Sequence, residues 1–163
     1  MDESVFEKLY EKNARQLWSY LSRTSGSSTL ADDFLQETFF RYLRAPIQED
    51  EGAVKSYLFK IATNLVYDHF RRVQRENRWQ FLSASKPEQE VFYDNFAEET
   101  EMMQVFEHLK PQERALLWLA YVEGYEHREI ADVLNLNTMS VRVLLFRARK
   151  KLANLIGKEK GLN

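Results

Sequence analysis

Apolar residues recur every third or fourth position along most of this chain, and very little interrupts them. Its 163 residues include only five glycines and three prolines, too few for an architecture of strands and tight turns. The spacing predicts a first helix from Ser4 to about Ser22, with Phe6, Leu9, Tyr10, Leu17, Trp18 and Leu21 inward. The polar run Thr24 to Thr29 reads as a loop. A second helix, about Leu30 to Arg44, turns Phe34, Leu35, Thr38, Phe39, Tyr42 and Leu43 inward. Ala45-Pro46 stops it, and Ile47 to Gly52 reads as an acidic loop. The third and longest helix, about Val54 to Trp79, buries Tyr57, Leu58, Ile61, Ala62, Leu65, Val66 and Phe70. Lys60, Asn64, Tyr67, Asp68, Arg71, Arg72 and Arg75 cover its other side.

From about Leu109 to Ile156 the pattern shortens into a helix-turn-helix. Pro111 suits a first helical turn, with Glu113 near the positive end of the helix dipole. Ala115, Leu116, Leu119, Ala120 and Val122 continue inward, and Gly124 ends that helix. A short helix from about Glu126 to Leu134 follows. Asn135-Leu136-Asn137 forms a tight turn, since asparagine tolerates the left-handed backbone such turns need. Asn137 or Thr138 then caps a last helix to about Ile156. Ile130, Ala131, Leu136, Val141 and Leu145 supply the shared apolar seam that this motif requires. Thr138, Ser140 and Arg142 stand at the exposed start of the last helix, where such motifs meet groove edges and phosphates. Arg142, Arg147, Arg149, Lys150 and Lys151 follow with no acid among them, which suits a phosphate backbone.

The formal charge of −2 conceals an uneven distribution. Residues 1–78 carry twelve basic and twelve acidic side chains. Residues 79–104 carry Lys86 against Glu88, Glu90, Asp94, Glu98, Glu99 and Glu101, while residues 105–163 carry ten basic and seven acidic groups. The expected fold is therefore all-α: two small helical domains, 1–79 and 104–163, joined by an acidic linker over 80–103. The linker keeps the aromatics Phe81, Phe92, Tyr93 and Phe96, which implies some docking. With no cysteine there are no disulfides and no thiolate chemistry. His69, His108 and His127 have no metal-ligand spacing, and no glycine-rich phosphate loop exists. No enzyme activity, metal or cofactor is expected. The charged N-terminus and the lack of a long apolar run imply a cytoplasmic protein without membrane insertion.

Two blocks carry a family resemblance. The stretch LKPQERALLWLAYVEGYEHREIADVLNLNTMSVRVLLFRARKKL resembles region 4 of bacterial RNA polymerase sigma factors. ADDFLQETFFRYLR, followed by SYLFKIATNLVYDHFRR, resembles region 2 of their extracytoplasmic-function group, and the blocks come in the right order. The resemblance implies a transcription initiation factor that binds core RNA polymerase, recognises and melts promoter DNA, and is held off by an anti-sigma factor. Asp33, Gln36, Glu37 and Arg41 would engage the clamp helices of the largest subunit. The helical spacing independently places Asp33, Glu37, Phe40 and Arg44 on one face, with Phe40 as an apolar anchor. Asn64 would hold an extruded base of the −10 element, and Asp68, Arg71, Arg72 and Arg75 the surrounding backbone. Tyr57, Phe59 and Tyr67 beside them fit a surface for unstacked bases, although for Tyr57 core packing is favoured. The linker would thread the polymerase channel that later carries RNA.

The second domain would read the −35 element and meet the flap region of the polymerase. Arg128, Thr138, Ser140, Arg142, Val143, Phe146, Arg147, Arg149 and Lys150 are its candidate contacts. Here the chain departs from its relatives, with Val143, Leu144 and Phe146 where polar or basic residues are common. Leu144 is expected to extend the buried seam. Val143 and Phe146 then leave an apolar patch open to thymine methyl groups or to an inhibitory protein. Two rival readings are a self-sufficient helix-turn-helix regulator and a sigma mimic that only sequesters an inhibitor. The acidic balance and the docking face of the first domain speak against the former.

Overall fold

A computed structural model describes residues 2–46, 50–82 and 101–159. Among these residues the chain forms seven helices and no strand. They are α1 (Glu3–Ser25), α2 (Ser28–Arg44), α3 (Glu51–Leu82), α4 (Glu101–Glu107), α5 (Pro111–Tyr121), α6 (His127–Leu134) and α7 (Thr138–Glu159).

The loop expected over Thr24–Thr29 shrinks to Gly26 and Ser27. Gly26 adopts the left-handed conformation (φ 77°) and its amide donates to Ser22 O, which closes α1. The Ser27 hydroxyl then accepts from the Leu30 amide and opens α2. Thr24 stays within the helix, its hydroxyl donating back to Tyr20 O at 2.7 Å. The third helix begins three residues earlier than the apolar spacing predicts, since the Asp50 carboxylate accepts from the Ala53 amide. Most of the expected acidic linker, and the aromatics Phe92, Tyr93 and Phe96, lie outside the described residues.

One apolar cluster runs through both halves of the molecule. α1, α2 and α3 pack on one another, α5, α6 and α7 do the same, and α6 and α5 lie against α3 and α1. Phe59 sits at this junction, fully buried, with its ring 5.0 Å from Tyr20 and 6.1 Å from Tyr125. Tyr20 is also fully buried, and its hydroxyl shares a hydrogen bond with Thr63 Oγ1 at 2.6 Å. Lys55 pairs with Glu123 at 3.0 Å and Lys60 with Asp132 at 3.6 Å across the same junction.

Arg114 is the most heavily bonded side chain of the joint. Its Nε donates to Phe106 O and Leu109 O, its Nη2 to Glu107 O and its Nη1 to Thr24 O, at 2.7–3.1 Å. The guanidinium thus satisfies the carbonyls that end α4 and reaches the end of α1. Burial leaves it less basic than an ordinary arginine, yet four acceptors hold its charge. Three side chains placed inward by periodicity are exposed: Tyr10, Leu43 and Val122. Tyr10 and Leu43 border a cleft between α1 and α2, and Val122 follows the last residue of α5.

Arg114→Ala removes four hydrogen bonds at once from a buried site and should cost roughly 3 kcal/mol, on the order of 10 °C in Tm for a chain of this size. Thermal denaturation followed by circular dichroism measures it. A Tm within about 2 °C of the parent would remove Arg114 from the joint's stability.

Candidate nucleic-acid interface

The candidate residues fall on three surfaces. The first is the outer side of α2, where Asp33, Gln36, Phe40, Arg41 and Arg44 are exposed and Glu37 is half-exposed. Arg41 Nε donates to Glu37 Oε1 at 2.9 Å, one turn apart. The Arg44 guanidinium lies 4.2 Å from the centroid of the Phe40 ring, an ammonium-like charge over a π face. Phe40 also borders a cleft of about 490 Å³ with Phe6, Tyr10, Leu35, Phe39 and Leu43. Sequence periodicity missed this cleft because it assigns Leu35 and Leu43 to the core.

The second surface is the solvent side of α3. Lys60, Asn64, Asp68, Arg71 and Arg75 follow one another at spacings of three and four and form a polar stripe. Asn64, Asp68, Arg71, Arg72 and Arg75 are all exposed. Arg71 Nη1 approaches Asp68 Oδ1 at 3.6 Å, and both line a shallow cleft with Gln74, Arg75 and Arg78. Trp79, which the sequence reading left unassigned, is 73% exposed beside Arg72, Arg75 and Glu76. Its seven-residue separation from Arg72 was the available signal.

The aromatic platform expected on this surface is absent. Phe59 is buried, because α6 and the Tyr125 ring cover a side of α3 that would be open in an isolated first domain. Tyr67 packs half-buried against the core with its hydroxyl buried, and that burial raises its pKa above an ordinary tyrosine's. The Tyr57 ring lies tilted against Tyr42, centroids 6.1 Å apart, and is partly buried, as its favoured reading requires.

The third surface belongs to α6 and α7. The seam is closed: Ile130 and Val141 are fully buried, Ala131 and Leu145 nearly so, and Leu136 packs against them. Asn135 adopts the left-handed conformation (φ 54°) and Asn137 caps α7, its Oδ1 accepting from the Met139 amide at 3.0 Å. Arg128, Thr138, Ser140, Arg142, Val143, Phe146, Arg147, Arg149 and Lys150 are all exposed. Arg149 Nη1 donates to the Tyr121 hydroxyl at 3.0 Å. Lys151 turns away and pairs with Glu113 at 2.9 Å. Leu144 is half-buried against the core, in line with its extending the seam.

His69 stands between the first two surfaces, edge-on to Phe34 at 5.8 Å and Phe70 at 5.5 Å. Burial, and secondarily the Arg72 charge, lower its pKa, with Glu76 opposing them. A histidine depressed in the folded state takes up its proton more readily in the unfolded chain. Its contribution to stability is therefore complete above the ordinary pKa of about 6.5 and is lost as pH falls below it. Tm should decline between about pH 7 and pH 5, and His69→Gln should flatten that decline. An unchanged slope in the variant would assign it to other groups.

Comparison with known proteins follows the same division. The family described as sigma-70 region 2 matches residues 9–76, and sigma-70 region 4 matches residues 99–152. The ECF RNA polymerase sigma factor SigE of Mycolicibacterium smegmatis is 27% identical over 159 residues, covering 94% of this chain and 62% of SigE. The chain thus spans about three-fifths of that relative's length. The ECF RNA polymerase sigma factor SigM of Bacillus subtilis is 25% identical, covering 93% of this chain and 94% of SigM. Among solved structures, the sigma factor RpoE of Bartonella quintana, in complex with the anti-sigma factor NepR, superposes with a TM-score of 0.73. It is 20% identical, and the match covers 93% of this chain and 96% of RpoE, a likeness of fold.

Proposed function

Because the chain belongs to the extracytoplasmic-function group of RNA polymerase sigma factors, we propose that it binds core RNA polymerase and directs it to specific promoters. One observation carries this reading: a single chain holds, in order, both sigma regions, each with its candidate residues on an exposed face. On α2, a charged face around the apolar Phe40 suits docking on a polymerase helix pair. Along α3, exposed Asn64 lies among arginines and Asp68, which suits capture of an extruded −10 base between phosphate contacts. The helix-turn-helix supplies a second, upstream contact to the −35 duplex through the start of α7. Promoter melting is driven by base capture on α3 once the polymerase holds both elements.

The chain does not grip DNA unaided in this reading. Its formal charge of −2 leaves phosphate attraction to local patches, so polymerase docking supplies the remaining affinity. A self-sufficient regulator would bind duplex DNA tightly as the purified chain. Regulation by an anti-sigma factor is supported by analogy with RpoE, whose structure is a complex with one. No described helix is long and apolar enough to cross a membrane.

Run-off transcription on fragments of the native genome tests the reading. Core polymerase should initiate at specific sites only when this chain is added, and equal initiation by core alone would overturn it. Glu37→Lys places a cation beside Arg41 and reverses the docking face. It should abolish co-purification with core while leaving the circular dichroism spectrum unchanged; undiminished core binding would take Glu37 off that face.

A further inference from the structure

The solvent side of α7 carries an apolar stripe where a phosphate-contacting helix is ordinarily polar. Met139 is 78% exposed, Val143 49% and Phe146 58%. Spaced by four and three residues, they lie within about 60° of one another around the helix. This side is opposite the one that Val141, Leu145 and Ala148 bury. The three side chains cannot belong to the seam. Leu144, which packs against the core, already extends it.

The frame of the stripe identifies its occupant. Arg142 and Arg149 flank one side, Arg147 flanks the other, and Lys150 continues the stripe itself. No acid occurs in α7 before Glu159. Thr138 and Ser140 stand exposed at its first turn, and the open end of the seam-packed helix is the part such motifs lay into a major groove. An apolar strip with cations on both flanks fits a duplex whose phosphates lie on either side of a groove. Within that groove, the thymine C5-methyl is the apolar group that base pairs present.

We propose that Met139, Val143 and Phe146 form a thymine-methyl reader, which gives this chain its upstream sequence preference. The inference rests on the promoter-reading role given to α7 above. The arginines hold the phosphates and set register, and the stripe discriminates by removing methyl groups from water. Met139 is the residue whose part the sequence reading omitted, and its flexible thioether suits contact with more than one base step.

The test uses the full chain with core polymerase and a pool of promoter duplexes randomised in the upstream element. Enriched sequences are resynthesised with deoxyuridine replacing each thymine in turn, which deletes only the methyl. Binding should weaken about fourfold at one or more of these positions, the worth of one buried carbon. Phe146→Ser and Val143→Ser, both at exposed positions, should bring the ratio between thymine and deoxyuridine close to one. Arg142→Gln should weaken both duplexes alike and keep the ratio. An enriched element without thymine, or a parent chain indifferent to every replacement, overturns the reader while leaving promoter selection intact. A pool from which nothing is enriched overturns the promoter-reading role and this inference together. Serine variants that keep the ratio but escape an inhibitory protein would show that the stripe docks a protein partner, which also overturns the proposal.

Discussion

A buried guanidinium that closes one corner of the fold also fastens the two halves together. Arg114 accepts confinement because Phe106, Glu107 and Leu109, at and just beyond the end of the short helix α4, turn their carbonyls toward it. Only the bond to Thr24 O crosses to the first half. Near that bond, Phe59 meets the Tyr20 ring at a tilt and the Tyr125 ring edge-on, and the apolar cluster continues from α1 to α7. α6 lies beside α3, where Lys60 pairs with Asp132 and the Tyr125 ring meets Phe59, and one side of α3 is buried.

The long helix α3 shows what such packing does to a surface. Its apolar positions serve two neighbours, α1 and α2 on one flank and α5 and α6 on another. The strip left to solvent is narrow and almost wholly polar, running from Lys60 through Asn64 to Arg75. A narrow polar strip with positive charge concentrated toward its far end can track the backbone of a nucleic-acid strand.

Legibility in the sequence divides along the same line. The helix-turn-helix could be read almost to the residue, because its seam, its left-handed Asn135 and its Asn137 cap are set by neighbours within a few positions. The face of α2 was legible for the same reason, since its residues share one helix surface. Phe59 and Tyr67 were misplaced because their surroundings come from residues distant in sequence, which no local period reports. Tyr10 and Leu43 have the spacing of core residues but sit where α1 and α2 diverge, and the cleft between them remains open. Met139 stands exposed on the side of α7 opposite the seam, a rotation that Val141 and Leu145 already imply.

The pairing of Lys60 with Asp132 bears on how this molecule responds to salt. Each phosphate that a protein cation neutralises releases a counterion condensed on the nucleic acid, so the number neutralised sets how steeply affinity falls as salt rises. Lys60 already faces a carboxylate from the other half, so its charge is partly compensated within the molecule and neutralises an arriving phosphate less fully. Arg71 stands in part under the same constraint through Asp68. The ionic signature of this surface is therefore smaller than its count of positive charges, and a shallow salt slope is compatible with a densely arginine-lined strip.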